Sequence, residues 1–479
     1  MTYPYRYFCL PDFLPDVPMR LFSFLLGLTL LAGGHRALAQ PMPPTRYSLA
    51  QALRVATAQY PSLQASQRET QAAQRQVTQA RNTLIPELNV AYQANVATYN
   101  NITGMFYPQY VLPISGPPSL ANRNEAVVGS AASALLTWSP LTFGARAADI
   151  ELAQAQVRTA QANESVTLLS HQVRVADAYF DLLVATDLVR VFAQNSRRTE
   201  TLARQATVLV TNGLRPGVDS AQFNAEVSRA QVDLLTAQHS REAAAIRLSE
   251  LLALPTGEVM ATDTTLLTRL PPETDLSTPA DTATHPYLLA ARRQVEASRQ
   301  RRQVIQRAVL PKLSFWGTGY GRGSGISATG EVNSSDGWRL SRSNYGAGFQ
   351  LALPMLSYPQ VRVRAQQEQF LTQAYEARLR ETTLQVSKQQ QQAQAALRSR
   401  LLIAHQLPRQ LGAARFAYRA QQTRYQTGLV SVTDVAQAQY ALVRAEVDAR
   451  AATAQAWKAY LALAAARGDL GALLQPAQP

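Results

Sequence analysis

Apolar positions along this chain follow two different periods, and the switches between them fall at prolines. From 48 to 83 small and apolar residues form a helical stripe through Leu49, Leu53, Ala56 and Leu63, with one proline, Pro61, inside it. Pro86 ends that pattern, because proline lacks the N–H a helix needs and biases the residue before it away from helical geometry. The period then becomes two. Leu88, Val90, Tyr92, Ala94 and Val96 alternate with Asn89, Ala91, Gln93, Asn95 and Ala97, which predicts a strand with one greasy face and one small or polar face. Tyr345, Ala347, Phe349, Leu351 and Leu353 alternate in the same way with Asn344, Gly346, Gly348, Gln350 and Ala352. Two further strands are expected near 124–138 and 312–322. The stretches 100–123 and 323–342 are rich in Gly, Pro, Ser and Asn and read as loops. Gly319-Tyr320-Gly321-Arg322-Gly323 has the look of a phosphate loop, but no helical pattern follows it. A glycine-rich strand end is the reading.

Each second strand ends at a proline, Pro140 and Pro354, and a very long helical pattern follows. Residues 145–210 hold neither Pro nor Gly and would extend about 100 Å as one helix. Val166, Val173 and Phe180 form one heptad series and Leu169, Ala176 and Leu183 another, which favours coiled-coil packing. Residues 360–427 form the matching helix, with a kink expected at Pro408. Returning helices of about half that length are expected at 218–253 and 432–467, and rising helices at 48–84 and 283–309.

The two turns at the far ends reveal a duplication. Shifting the chain by 215 positions superposes Gly213 on Gly428, Leu214 on Leu429, Asp219 on Asp434, Gln222 on Gln437 and Arg229 on Arg444. Upstream, Pro61 and Pro86 are spaced like Pro286 and Pro311. One helical hairpin has been copied in tandem. The chain therefore divides into 40–253, a Pro- and Thr-rich connector at 254–282, a second repeat at 283–467 and a tail at 468–479.

Composition changes the picture in three places. No run of 18 apolar residues exists, so no transmembrane helix is expected. The net charge of +14 arises from arginines spread among Gln and Glu along helices, without a basic block of five or more, which reads as a solvated helical face and not as a nucleic-acid site. Cys9 is the only cysteine, which excludes internal disulfides and CxxC metal sites. The five histidines lie far apart, and no P-loop, HExxH or catalytic cluster is recognisable. No enzyme, metal or cofactor is expected. Met19-Arg20, the apolar LFSFLLGLTLL and Ala37-Leu38-Ala39 have the three regions of a secretory signal. Translation is expected to start at Met19 and cleavage to follow Ala39, so that 1–39 is absent from an exported chain.

Strands of about ten residues or more suit a tilted bilayer crossing. Four strands cannot close a barrel, and open edges in lipid leave backbone groups without partners. If these strands span a membrane, several chains must share one barrel. The alternative is a periplasmic coiled-coil structural protein that never crosses a membrane.

Taken in order, signal, helix–Pro–strand, strand–Pro–long helix, Gly-Leu-x4-Asp turn and returning helix, then the same series again, the chain resembles the TolC-type outer membrane efflux factor family. The resemblance covers essentially all of the mature sequence. It implies a mainly α fold with β structure: a long α-helical coiled-coil barrel in the periplasm below a 12-stranded transmembrane β-barrel in the outer membrane. A homotrimer would share that barrel, four strands per chain, with the connector and tail as a belt. The implied function is passive conduction of solutes out of the cell, delivered by a periplasmic adaptor and an inner membrane transporter of RND or ABC type. Outer membrane lipid would meet Leu88, Val90, Tyr92, Phe349 and Leu351, and the adaptor would meet Gly213, Leu214, Gly428 and Leu429. The family narrows its periplasmic entrance with acidic residues just after the second turn. Asp434 stands at that place, Gln437 occupies the next often-acidic position, and Val430 replaces a basic residue found there in some members.

Overall fold

The computed structural model describes residues 45–98, 122, 124–254, 259–272, 284–327 and 329–474. The expected export signal, most of the first loop and parts of the connector and tail lie outside the described residues. The first repeat runs β1 (Thr45–Tyr47), α1 (Leu49–Gln59), α2 (Pro61–Asn82), β2 (Glu87–Thr98), β3 (Ala126–Leu141), α3 (Ala145–Thr211) and α4 (Gly217–Leu251). After β4 (Val259–Ala261) come α5 (Pro286–Arg307), β5 (Lys312–Ser324), β6 (Arg342–Ala352), α6 (Tyr358–Gln426), α7 (Val432–Arg467) and the short α8 (Gly471–Leu474).

Prolines account for the departures from the sequence expectation. The helix expected over 48–83 is two helices. Tyr60 is extended at φ −68° and ψ 127°, as a residue before proline prefers, and Pro61 opens α2 where no N–H is required. Pro140 does not end its strand. β3 continues to Leu141, and its register against β5 shifts between Trp138 and Leu141, around the residue that has no N–H to give. Pro408 lies inside α6, which runs through it unbroken.

The helices pack as two hairpins with side helices. α3 runs along α4, and α6 runs along α7. The rising helices α2 and α5 both lie on α3, and α5 also reaches α6. α7 packs on α3 as well and so joins the two repeats. Ion pairs follow that seam. Arg198 forks onto Glu446 at 3.1 and 2.8 Å, and the Lys458 ammonium sits 2.8 Å from Asp177 and 2.6 Å from Asp181. Burial alone would lower the Lys458 pKa; the hydrogen bonds to Asp177 and Asp181 outweigh it and raise it.

Two apolar cores hold the bundle. The larger lies at mid-length, where Tyr179, Phe180, Leu182 and Leu183 of α3 meet Trp457 and Leu463 of α7, and Phe180 stacks on Trp457 at 6.2 Å. Leu169, Ala176 and Leu183, one heptad series, are all buried; Val166 and Val173 of the other are half-buried. The smaller core lies near the turns and holds Leu202, Ala206, Phe223, Tyr425, Val435 and Leu442. The connector is pinned to the larger core. β1 and β4 form a two-stranded parallel sheet, and the Asp263 carboxylate accepts from the Leu49 N–H at 2.8 Å and the Tyr179 hydroxyl at 3.0 Å. Trp457 Nε1 donates to the Arg269 carbonyl at 2.9 Å.

Candidate functional site

The four long strands make one antiparallel sheet in the order β2-β3-β5-β6. Residues directly opposite each other on paired strands share a face. Leu88 opposes Leu136, Val90 opposes Ala134, and Tyr92 opposes Ala132. Across β5 those rows continue to Gly317, Gly319 and Gly321, while Phe315 opposes Phe349 and Leu313 opposes Leu351. The five residues expected to meet lipid therefore lie on one face. They are exposed in the single chain, Val90 by 76% and Phe349 by 72%, and exposed apolar faces of this kind mark interaction sites. Trp138 and Phe315, with ring centroids 6.1 Å apart, join Phe349 in a row near the helical end of the sheet. The charged residues of these strands, Glu87, Lys312, Arg322 and Arg342, all fall on the opposite face, with Asn89, Gln93 and Gln350. Among the described residues β2 and β6 each pair on one side only, which leaves both edges of the sheet open.

At the other end of the molecule the two turns have the same backbone. The Gly213 N–H bonds the Val210 carbonyl and the Leu214 N–H the Leu209 carbonyl, both at 2.9 Å. Gly428 bonds Tyr425 at 3.1 Å and Leu429 bonds Arg424 at 2.9 Å. This paired bonding closes each helix with a left-handed residue, at φ 72° for Gly213 and 83° for Gly428, a conformation in which any side chain is strained. Closure throws the next residue outward. Leu214 and Leu429 are each 69% exposed.

The aspartates that follow have diverged. Asp434 stands at the third position of α7, and its carboxylate accepts from the Ser431 N–H at 2.9 Å and the Ser431 hydroxyl at 2.6 Å, while Ser431 caps its backbone in return. Those bonds hold its pKa below the usual carboxylate value. Asp434 and Gln437 are both exposed. Asp219 stands at the same position of α4 but caps nothing. It is 9% exposed, and its carboxylate accepts from the Tyr425 hydroxyl at 3.2 Å. Burial first, and the Asp219 charge second, push that hydroxyl up to about 12.

Arg215 and Tyr425, which sequence reasoning did not single out, complete this contact. The Arg215 guanidinium lies 4.6 Å from the centre of the Tyr425 ring and donates to the carbonyls of Tyr425, at 2.8 Å, and Val430, at 3.2 Å. The first turn thus reaches across to the second. The duplication carried a faint sign of it: Arg215 superposes on Val430, and Tyr425 on Val210, so the contact forms where the two copies differ.

The remaining polar chemistry is structural. His171 stacks on Tyr60 at 3.9 Å, and His285, at the residue before α5, stacks on Tyr287 at 5.7 Å. Among the described residues no group of three His, Cys, Asp or Glu side chains is placed to hold a metal, and no helix is long and apolar enough to cross a membrane.

The chain matches the Outer membrane efflux protein family over residues 52–254 and 282–469. None of the curated proteins matches it in sequence. Among solved structures it is similar to the outer membrane protein VceC of Vibrio cholerae, at 16% identity and a TM-score of 0.67 over 88% of this chain and 96% of that one. It is similar to the Campylobacter jejuni CmeC outer membrane channel, at 14% identity and a TM-score of 0.69 over 88% and 85%. The Neisseria gonorrhoeae MtrE outer membrane channel, solved in its open state, gives 18% identity and a TM-score of 0.66 over 88% and 89%. These likenesses show a shared fold of long helical hairpins and a strand sheet, and the family match spans both repeats. The chain belongs to the outer membrane efflux protein family, whose members are channels and not enzymes.

Proposed function

We propose that three copies of this chain close one twelve-stranded barrel in the outer membrane and form a passive exit duct for solutes. One observation carries the reading: an antiparallel sheet of four strands leaves its apolar face bare and both edges open. An exposed face of this kind belongs in lipid, and lipid forbids an open edge. Pairing β6 of one copy with β2 of the next satisfies both demands. The charged face of each sheet would then line the lumen, and the helices would extend the duct into the periplasm.

In this reading 1–39 directs export, 40–253 and 283–467 are the two repeats, and 254–282 with 468–479 form a belt around the middle of the tube. Leu214 and Leu429, at the points farthest from the sheet, dock a periplasmic adaptor whose partner is an inner membrane transporter of RND or ABC type. The contact among Arg215, Asp219 and Tyr425 clasps the two turns of one chain, and the exposed Asp434, bonded to Ser431 of its own helix cap, charges the entrance.

Fractionation tests the reading. The protein is expected in the detergent-extracted outer membrane as trimers that resist SDS until heated. Recovery as a periplasmic protein without SDS-resistant trimers would overturn it in favour of a periplasmic coiled-coil scaffold.

A further inference from the structure

On the charged face of the sheet, β5 presents a column that no part of the duct reading requires. Alternation places Lys312, Ser314, Trp316, Thr318, Tyr320 and Arg322 on that face in sequence. Trp316 opposes Gly348 and lies across β6: a side-chain carbon at Gly348 would fall 2.9 Å from its Cζ2, and one at Gly346 would fall 3.3 Å from its Cζ3. Both glycines therefore leave room for the indole to lie flat on the sheet. One side of the ring covers backbone, and 37% of the residue stays exposed. Tyr320 is 38% exposed on the same column, about 13 Å farther along at the rise of a strand. Cations close the column at both ends. Lys312 stands at the helical end, and Arg322 faces Arg342 across the pair at the far end. Glu87 is the one acid of these strands on this face, against three cations.

We propose that this column is a binding track for planar aromatic solutes that carry an anionic group. The inference rests on the trimeric barrel reading, in which three such columns line one lumen. The indole and the phenol offer flat surfaces for stacking, and aromatic pairs in offset or edge contact gain binding energy beyond their buried area. Lys312, Arg322 and Arg342 draw in the acidic group, and in a narrow lumen of low-dielectric walls their field is focused. Glu87 lies in the row of Trp316, across Thr137, so the excess of cations stands at the ends of the column, Lys312 at one and Arg322 with Arg342 beside Tyr320 at the other, and favours anions there. The track supplies weak, repeated contacts in series, which hold a solute in the lumen without trapping it.

Single-channel recording in planar bilayers tests the proposal, with naphthalene-2-sulfonate added from the side of the sheet's far end. Methanesulfonate and 2-naphthylmethylammonium serve as the aliphatic anion and the aromatic cation. Only naphthalene-2-sulfonate is expected to produce resolved blockades. Trp316→Leu keeps an apolar side chain on the sheet but removes the stacking surface, and is expected to shorten the blockades about tenfold. Tyr320→Leu is expected to shorten them less, and Trp316→Phe to retain most of the wild-type dwell. Equal blockade by methanesulfonate, or dwell times unchanged in Trp316→Leu, would overturn the track while the open-channel current still upheld the duct. If no current of any kind appears even with the Tyr425→Phe and Arg215→Gln exchanges in place, the duct reading fails. Calorimetric titration of naphthalene-2-sulfonate into the detergent-solubilised protein then decides the track: binding lost in Trp316→Leu supports it, and binding equal to wild type refutes it.

Discussion

The clasp between the two turns makes a quantitative demand. Tyr425→Phe removes one hydroxyl and keeps the ring that packs on Phe223 at 5.6 Å. It leaves the 9%-exposed Asp219 carboxylate short of a donor, and a hydrogen bond to a charged group contributes about 1.5–3 kcal/mol. Arg215→Gln removes two bonds to carbonyls of the second turn and a cation–π contact of about 0.5–1 kcal/mol. The two side chains touch each other, so the double variant is expected to lose less than the two losses added. If the clasp holds the periplasmic end narrow, each 1.4 kcal/mol lost raises the separated population about tenfold. Tyr425→Phe channels are therefore expected to visit a higher-conductance state about ten times as often or more, and the double variant more again. Alkaline pH should do the same. The hydroxyl pKa is raised from its ordinary 10 to about 12, so the neutral, donating form is favoured in the folded protein. Its contribution is whole below about pH 10 and is lost as pH rises through about 12. Trimers of normal thermal stability whose conductance in the double variant matched wild type would refute the clasp as the restraint.

Four further outcomes follow from the geometry. Val90→Arg or Phe349→Arg, on the apolar face, should cost about 2–4 kcal/mol per chain near the bilayer midplane and deplete SDS-resistant trimers, whereas Asn89→Arg or Gln350→Arg should not. Equal loss at both sets would reject the register. Leu214→Asp with Leu429→Asp should abolish adaptor crosslinking and efflux while trimers persist. Asp434→Asn keeps an acceptor for the Ser431 N–H but removes the charge, so cation selectivity and multivalent-cation block from the periplasmic side should weaken; unchanged block would make Asp434 a helix cap only. Amino-terminal sequencing of the exported protein should begin at Gln40, and a retained Thr2 would contradict cleavage after Ala39.

Much of the fold was legible because it is written in periods. β2 and β6 announce themselves because apolar residues alternate with small or polar ones, from Leu88 to Val96 and from Tyr345 to Leu351, so that each strand has one apolar face. The first long helix was legible through the absence of Pro and Gly, and the closures at Gly213 and Gly428 through the placement of glycine. What escaped had no period to show. β1 and β4 are three residues each, too short to alternate, and they exist because Asp263 and Tyr179 bind them to the bundle. The break at Tyr60 needed more weight given to Pro61 than the surrounding helical pattern suggested. Arg215 and Tyr425 meet from positions 210 residues apart, and a contact that distant leaves no local pattern. The equal spacing of Asp219 and Asp434 even pointed the wrong way, since identical residues at matching positions hold different partners.

The central claim is that this chain makes a hole in a membrane, and the direct measurement is current through purified protein in a planar bilayer. The account predicts discrete conductance steps from trimers, steps that vanish when Val90→Arg prevents assembly and persist with Asn89→Arg. Protein that stays trimeric and folded in detergent yet never produces a step, with the Tyr425→Phe and Arg215→Gln exchanges in place to free the entrance, would contradict it.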